Sequence, residues 1–154
     1  MAGAPVRKPT PSKDRYLHLY RADASELIAK IRRGVSATEA KRVIADLRLG
    51  QGEGLKALNL SQATINRRAK QSKPLTPDES ERIIGVGKLV GQVQAMVEES
   101  GEPEGFDAMV WLSHWLREPI PALGGVRPFD LMDTMEGQAL VSRTLAQMQG
   151  GTYA

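Results

Sequence analysis

Side chains that can hydrogen-bond to nucleic acid are concentrated between Ser61 and Lys73. Gln and Asn amides can pair with adenine and Arg with guanine, whereas Lys and Arg also contact phosphates without reading sequence. The N-terminal end of such a helix is the part that normally points at base edges. The pattern therefore predicts a helix that reads DNA bases and holds phosphates farther along. The candidate DNA-binding residues are Ser61, Gln62, Thr64, Asn66, Arg67, Arg68, Lys70 and Lys73.

The residues just before this helix have the spacing of a bihelical corner. Two apolar residues come from a first short helix, one from the turn and one from the second helix. They are Leu55, Leu58, Leu60 and Ile65. Asn59 occupies the turn, where Asn tolerates positive φ, and Ser61 can cap the second helix. From spacing alone, a solvated helix in a basic bundle remains an alternative to a helix-turn-helix.

Charge divides the chain into two halves. Residues 1–73 hold 16 Lys and Arg against 6 Asp and Glu, a net charge of +10. Residues 74–154 hold 5 Lys and Arg against 12 Asp and Glu, a net charge of −7. A basic half suits a polyanion and an acidic half does not. The chain is therefore expected to present one surface to nucleic acid and another to protein.

Several classes of protein are disfavoured by composition. The chain has no Cys, which excludes disulfides and thiolate metal sites and fits a reducing cytoplasm. No apolar run approaches the roughly 18 residues of a membrane span, and no secretory signal is present. There is no glycine-rich phosphate loop or nucleophile elbow, and His18 and His114 are far apart in sequence. His114 and Glu118 form an i,i+4 pair typical of a surface contact. No catalytic residue, metal site or cofactor is predicted.

Helical periodicity predicts an all-α fold in three parts. Residues 1–22 are expected to be a flexible basic arm, although Tyr16–Tyr20 alternates and could form a short strand. Residues 23–73 form the basic helical domain and 74–154 the acidic one. On the first predicted helix, Leu27, Ile28 and Ile31 lie on one face, and Gly34 ends the helix. The second starts at a capping box of Ser36 and Glu39 and buries Ala40, Val43, Ile44 and Leu47.

A long helix is predicted to open the acidic domain. Thr76, Pro77 and Glu79 supply an N-cap, a first-turn proline and a capping-box acid, and the helix should reach Glu99. Its apolar residues repeat as a seam against another helix, and its glycines favour close packing. The close neighbour could belong to the same chain or to a second subunit; we expect a homodimer built mostly through this half. The residues for dimer or helix packing are Ile83, Val86, Gly87, Val90, Gly91 and Val93.

The last third of the chain offers candidates for a protein-binding surface. Trp111 and Trp115 lie on one helical face and could be core residues or partner anchors. Leu123-Gly124-Gly125 predicts a turn with positive φ that either binds a partner or only positions two helices. Thr134 is expected to cap a last helix that ends near Gln149.

Two resemblances make these patterns specific. The run LKALNLSQATINRR resembles the helix-turn-helix of phage-repressor-like, Xre-type regulators, with Ser61–Ile65 as the family's Ser-Gln-x-Thr-Ile and Asn59 at the usual turn glycine. The later run resembles the toxin-binding domain of Xre/MbcA/ParS antitoxins. Its motifs are Leu75–Arg82, Trp115-Leu116, Pro119–Gly125, Pro128–Leu131, Thr134–Gly137 and Gly151–Tyr153. The resemblance covers roughly residues 25–154; Met135 and Met148-Gln149 depart mildly from the family pattern.

The resemblance implies an antitoxin of a type II toxin–antitoxin system. Its partner would be a RES-domain toxin that degrades NAD⁺, in a hetero-oligomer, and the antitoxin would occlude the toxin's active site and bind operator DNA to repress the shared operon. We hypothesise that the tail, with Tyr153 and a terminal carboxylate, enters the NAD⁺ pocket. The candidate toxin-binding residues are Trp111, Trp115, Arg117, Leu123, Gly150, Gly151, Thr152, Tyr153 and Ala154.

Other functions fit the same sequence. A stand-alone helix-turn-helix regulator or a partition-type DNA-binding protein would use the same fold without a toxin. A scaffold that does not contact DNA is a third alternative.

Overall fold

The computed structural model describes residues 12–101 and 103–149. Within those ranges it contains α-helices and no strands, which confirms the all-α prediction. The helices are α1 (Ser12–Arg21), α2 (Ala24–Arg33), α3 (Ala37–Asp46), α4 (Gln51–Ala57), α5 (Gln62–Gln71), α6 (Pro77–Glu99), α7 (Ala108–Leu116) and α8 (Met135–Gln149). Two 3-10 turns, Pro121–Leu123 and Pro128–Leu131, lie between α7 and α8.

Helix α6 is the centre of the fold. The Glu79 backbone N–H donates to Thr76 Oγ1 (3.3 Å) and the Thr76 N–H donates to Glu79 Oε1 (3.0 Å), which confirms the predicted capping box. Every residue from Ile83 to Ala95 except Lys88 is buried. A helix that is covered on all sides lies in the core, and α1, α2, α3, α7 and α8 all pack on this one.

Glycines in α6 allow two neighbouring helices to approach it closely. A Cβ at Gly91 would overlap the backbone carbonyl oxygen of Tyr16, and one at Gly87 would collide with side chains of the same helix α1. A Cβ at Gly85 would overlap the side-chain amide oxygen of Gln138 in α8. The close neighbours that the sequence left open therefore belong to the same chain.

The prediction of a flexible arm over residues 1–22 is wrong for Ser12–Arg21, which form α1; residues 1–11 lie outside the described ranges. Tyr16 and Leu19 are three residues apart, so on a helix they share the face that packs against Gly87. The many basic residues of the segment favoured the prediction of an arm, but this short apolar face is enough to dock it.

Tyr16 also ties α1 to α3. Its hydroxyl donates to Asp46 Oδ2 at 2.6 Å, and Arg15 Nη2 donates to the same oxygen at 3.2 Å. Burial and the hydrogen bond to Asp46 raise the pKa of Tyr16 above its ordinary range. The alternative of a strand at Tyr16–Tyr20 is wrong because these residues are helical throughout.

The two helices after α1 match their predicted faces except at one position. Leu27 and Ile31 are half-buried, but Ile28, which was predicted to share their face, is 45% exposed. Helix α2 packs on α6 at the edge of the molecule, and only a narrow stripe of it is covered. The predicted core residues of α3, Ala40, Val43 and Ile44, and its C-cap residue Leu47 are all buried.

Local hydrogen bonds fix the ends of the last two helices. Asp107 Oδ1 accepts from the N–H groups of Met109 (3.0 Å) and Val110 (3.1 Å) at the start of α7. Thr134 Oγ1 accepts from the Gly137 N–H at 2.9 Å, as predicted for the cap of α8.

The close contact at Gly91 predicts that adding one methyl group there strongly lowers the free energy of unfolding. Gly91→Ala should destabilise the protein by about 1–3 kcal/mol or more, because the new Cβ meets backbone and α1 must move away. Gly52→Ala is the matched control: its nearest atom would be Gln62 Oε1 at 3.5 Å, and Ala gains up to about 1 kcal/mol in helix propensity. Denaturant unfolding measures both free energies. Equal effects at the two positions would contradict the close packing of α1 on α6.

The raised pKa of Tyr16 predicts a specific loss of stability in alkali. Above about pH 10 the unfolded chain loses this proton while the folded chain keeps it. The unfolded state then binds fewer protons, so stability falls as pH rises. Tyr16→Phe should be less stable than the parent at about pH 8, and this difference should narrow at about pH 11. A difference that stays constant between the two pH values, measured by denaturant unfolding, would contradict the assignment.

Candidate functional site

Helices α4 and α5 form the predicted bihelical corner. Its four apolar residues are all buried: Leu55, Leu58, Leu60 and Ile65. Asn59 in the turn has φ +55°, as predicted. Ser61 caps α5 by accepting from the Thr64 N–H at 3.3 Å. This packing leaves the opposite face of α5 open to solvent.

The open face of α5 carries most of the predicted DNA-binding side chains. Those that are exposed are Ser61, Gln62, Asn66, Arg67, Lys70 and Lys73. Thr64 is half-buried. The structure thus brings together amide and guanidinium groups along one accessible helix, with two lysines at its C-terminal side. Their contact with DNA stays a prediction.

Arg68 differs from the exposed cations of α5 because it forms an ion pair. Its guanidinium pairs with the carboxylate of Glu79, and the two side chains are only 19% and 15% exposed. Glu79 Oε1 also accepts from the Thr76 N–H and hydroxyl, at 3.0 and 2.9 Å. In the DNA-free chain Arg68 is thus paired with the start of α6, and its contact with phosphate stays a prediction.

Arg82 stabilises the turn of the helix-turn-helix by hydrogen bonds, a role that was not predicted from the sequence. Its Nε donates to the Leu58 carbonyl at 2.7 Å and its Nη2 to the Asn59 carbonyl at 3.3 Å. These carbonyls lie at the C-terminal end of α4, where helical partners are missing. From α8, Gln138 Nε2 donates to the Arg82 carbonyl at 3.1 Å. No local pattern marks Arg82, because its partners are 23 and 24 residues away.

The two tryptophans of α7 have different environments. Their rings stack with centroids 5.9 Å apart and planes 12° apart. Trp115 is buried, which fits the core interpretation. Trp111 is half-buried and also contacts Phe106, with centroids 6.4 Å apart. Trp111 therefore keeps an accessible surface that a partner could cover.

The loop after α7 closes into a narrow turn. The Ile120 N–H donates to the Val126 carbonyl at 3.2 Å, and the Gly125 N–H donates to the Ile120 carbonyl at 3.0 Å. Gly124 and Gly125 have φ of +69° and +82°, as the predicted turn requires. Leu123 is half-buried beside them.

Two arginines of this loop lie next to carboxylates. Arg127 donates to both oxygens of Asp130, at 2.9 and 3.1 Å. These hydrogen bonds raise the pKa of Arg127 and lower the pKa of Asp130. Arg117 Nη2 lies 3.8 Å from Glu53 Oε1 in α4. Arg117, a candidate toxin-binding residue, is thus beside the helix-turn-helix. The rest of that candidate set, Gly150–Ala154, lies outside the described residues.

The residues predicted for dimer or helix packing are buried inside the single chain. They are Ile83, Val86, Gly87, Val90, Gly91 and Val93. Their role in helix packing is evident from the neighbours described above. They offer no open surface to a second subunit, so the expectation that they form a dimer interface is wrong. Among the described residues, the large apolar side chains that are exposed lie elsewhere: Tyr20, Ile28, Val126, Met135 and Leu140.

The described residues contain neither a metal-binding cluster nor a membrane-spanning helix. No group of three or more His, Asp or Glu there could hold a metal ion. His18 Nε2 lies 2.9 Å from Glu26 Oε1, and both side chains are exposed. None of the described helices is long and apolar enough to span a bilayer.

The fold and the site define a helix-turn-helix protein whose recognition helix is joined to a second helical domain. Residues 26–86 match the family model of the antitoxin Xre-like helix-turn-helix domain. Residues 106–151 match that of the antitoxin Xre/MbcA/ParS C-terminal toxin-binding domain. The first match runs past the predicted boundary at residues 73–74 and into α6.

Curated relatives carry antitoxin names. The chain is 56% identical over 139 residues to the Prs ADP-ribosylating antitoxin of a Sphingobium species, covering 90% of this chain and 87% of that protein. It is 27% identical over 128 residues to antitoxin Xre of Yersinia enterocolitica, covering 83% and 81%. Antitoxin Xre of Pseudomonas putida is 26% identical over 88 residues, covering 57% and 50%. The chain belongs to the Xre/MbcA/ParS family of antitoxins.

The adjacent Arg67 and Arg68 should respond differently to the same substitution. Arg68→Met leaves the partly buried Glu79 without its cation and should cost about 1–3 kcal/mol of unfolding free energy. Arg67→Met, on the exposed face, should stay within about 0.5 kcal/mol of the parent. Denaturant unfolding of both variants measures the difference. If Arg68→Met is as stable as Arg67→Met, the ion pair does not hold the motif to α6.

Proposed function

We propose that this antitoxin neutralises a toxin that uses NAD⁺ and represses transcription of their shared operon. The observation that carries the proposal is 56% identity, over 90% of the chain, to a protein named as an antitoxin. The exposed face of α5 supports the second activity. The same identity favours an antitoxin over a stand-alone regulator, a partition-type protein or a scaffold.

Two toxin chemistries are candidates. The family resemblance favours a RES-domain toxin that degrades NAD⁺. The name of the Sphingobium relative favours a toxin that transfers ADP-ribose. Both reactions start from NAD⁺ in an active site, so either toxin would offer the antitoxin the same kind of pocket. In both cases the toxin carries out the catalysis and this chain does not.

Neutralisation would proceed by occlusion of that pocket. Trp111 has an accessible aromatic surface, and Leu123 lies in the turn after α7. Aromatic residues in partly open pockets are frequent anchors of protein interfaces. We assign toxin binding to this region and to the tail Gly150–Ala154. In the proposal, Tyr153 of the tail enters the NAD⁺ site, where its ring takes the place of part of the dinucleotide.

Operator binding would use α5. Gln62, Asn66 and Arg67 can reach base edges in the major groove, whereas Lys70 and Lys73 suit phosphates. Helix-turn-helix proteins bind paired half-sites as dimers, which supports a homodimer that forms a hetero-oligomer with the toxin in the cytoplasm. Since the core face of α6 is covered, the dimer would use other surfaces.

One set of variants tests both activities. Deleting Gly150–Ala154 should abolish growth rescue in cells that express the toxin gene adjacent to this one, and leave binding to the upstream DNA intact. Arg67→Ala should weaken that DNA binding and leave rescue intact. NAD⁺ level and ADP-ribose attached to protein, measured in the toxin-expressing cells, separate the two toxin chemistries.

The two activities can fail separately. Full rescue by the tail deletion would overturn occlusion by the tail. Failure of the parent chain to co-purify with any product of the adjacent genes would favour the stand-alone regulator.

A further inference from the structure

The loop after α7 brings two arginines to the first helix of the helix-turn-helix. Arg117 Nη2 lies 3.8 Å from Glu53 Oε1, in the first turn of α4. Arg127 is oriented by Asp130, and its guanidinium lies 5.6 Å from the centre of the Phe129 ring, which lines the same small cavity as Gly54 and Leu58. The two arginine side chains are 41% and 44% exposed, so part of each guanidinium faces solvent.

This position is close to where DNA would lie. A Cβ at Gly52, next to Glu53, would be 3.5 Å from Gln62 Oε1, so the first turn of α4 meets the N-terminal end of α5. In a helix-turn-helix complex that end of the recognition helix contacts base edges, and the preceding helix crosses the phosphate backbone. Arg117, 3.8 Å from Glu53 at the start of α4, is therefore expected to lie near the phosphate backbone, and Arg127 follows in the same loop.

The charge of this region is compatible with phosphate. Arg117, Arg127 and the exposed Lys56 are three cations, against the carboxylates of Glu53 and Asp130. Asp130 makes two hydrogen bonds and fixes one guanidinium. Glu53 lies farther from Arg117, at 3.8 Å, so a phosphate could replace it as the partner of that guanidinium.

We propose that Arg117 and Arg127 contact DNA phosphates and so extend the DNA-binding surface from the helix-turn-helix into the toxin-binding domain. The proposal rests on the proposed DNA binding by α5. Such contacts would position the protein without reading sequence. Glu53 would limit affinity, because it repels phosphate and competes for Arg117.

The test measures binding of the full chain to two duplexes of roughly 30 bp, about three helical turns. One carries the DNA upstream of the gene and the other has that sequence scrambled; fluorescence anisotropy follows both over a KCl series. Arg117→Ala and Arg127→Ala should each weaken binding to both duplexes. Each should reduce the slope of log K against log salt by about 0.9, the value for one phosphate. Arg143→Ala, an exposed arginine of α8, is the matched control and should leave the slope unchanged.

Two further variants separate a phosphate contact from a folding defect. Arg117→Lys keeps the charge and should keep most of the slope. Glu53→Gln should strengthen binding to both duplexes, and the gain should shrink when Arg117 is also Ala. An equal gain in both backgrounds would mean that Arg117 does not contact DNA.

The remaining outcomes decide between this inference and the proposed function. If the parent binds neither duplex, the proposed operator binding and the phosphate contacts are both wrong. If Arg67→Ala weakens binding but Arg117→Ala and Arg127→Ala keep the full salt slope, only the phosphate contacts are wrong. Loss of toxin co-purification in Arg117→Ala with an unchanged slope would assign that arginine to the protein partner.

Discussion

Helix α6 has almost no solvent face along its middle, so each neighbouring element must fit a surface that this one helix defines. At Gly91 the fit is backbone against side-chain-free backbone, with the Tyr16 carbonyl in the space where a Cβ would be. At Gly85 the absence of a side chain likewise leaves space for Gln138 of α8. Helices α1 and α8, which are far apart in the sequence, therefore both pack closely against α6. Because packed interiors tolerate little extra volume, these glycines constrain the whole arrangement.

Polar contacts at the N-terminal end of α6 add orientation to this packing. Ser80 is fully buried and its Oγ accepts from the Val35 N–H at 2.9 Å, which links α6 to the segment before α3. Glu79 pairs with Arg68 of the recognition helix, and Arg82 binds the turn at Asn59. Buried polar groups need specific partners with specific geometry. The recognition helix is therefore attached to α6, whose first half lies within the match to the helix-turn-helix family model.

The features predictable from sequence are those encoded over a few residues. The capping box at Thr76, the positive φ at Asn59 and the buried corner that ends at Ile65 all depend on neighbours within one or two turns. The docking of α1 depends instead on shape complementarity across some 75 residues of chain, between Tyr16 and Gly91. Likewise, an arginine on a helix has the same local signature whether it faces solvent, as Arg67 does, or a distant carboxylate. Local periodicity says which face is apolar but not which long-range partner a charged side chain will take.

In the folded protein, long-range contacts distribute charge differently from the two halves of the sequence. Of the five cations in the acidic half, two lie against the helix-turn-helix: Arg82 at its turn and Arg117 beside Glu53. A third, Arg127, pairs with Asp130 in the same loop as Arg117. The other two, Lys88 and Arg143, line a groove among α1, α2, α6 and α8. Positive charge therefore gathers around the motif irrespective of the boundary near Pro74. Phosphates are attracted by the positive charge of the folded surface, wherever those residues lie in the sequence. The basic surface of the protein is therefore the one around α4 and α5. The remaining surface of the second domain is correspondingly more acidic than its net charge indicates.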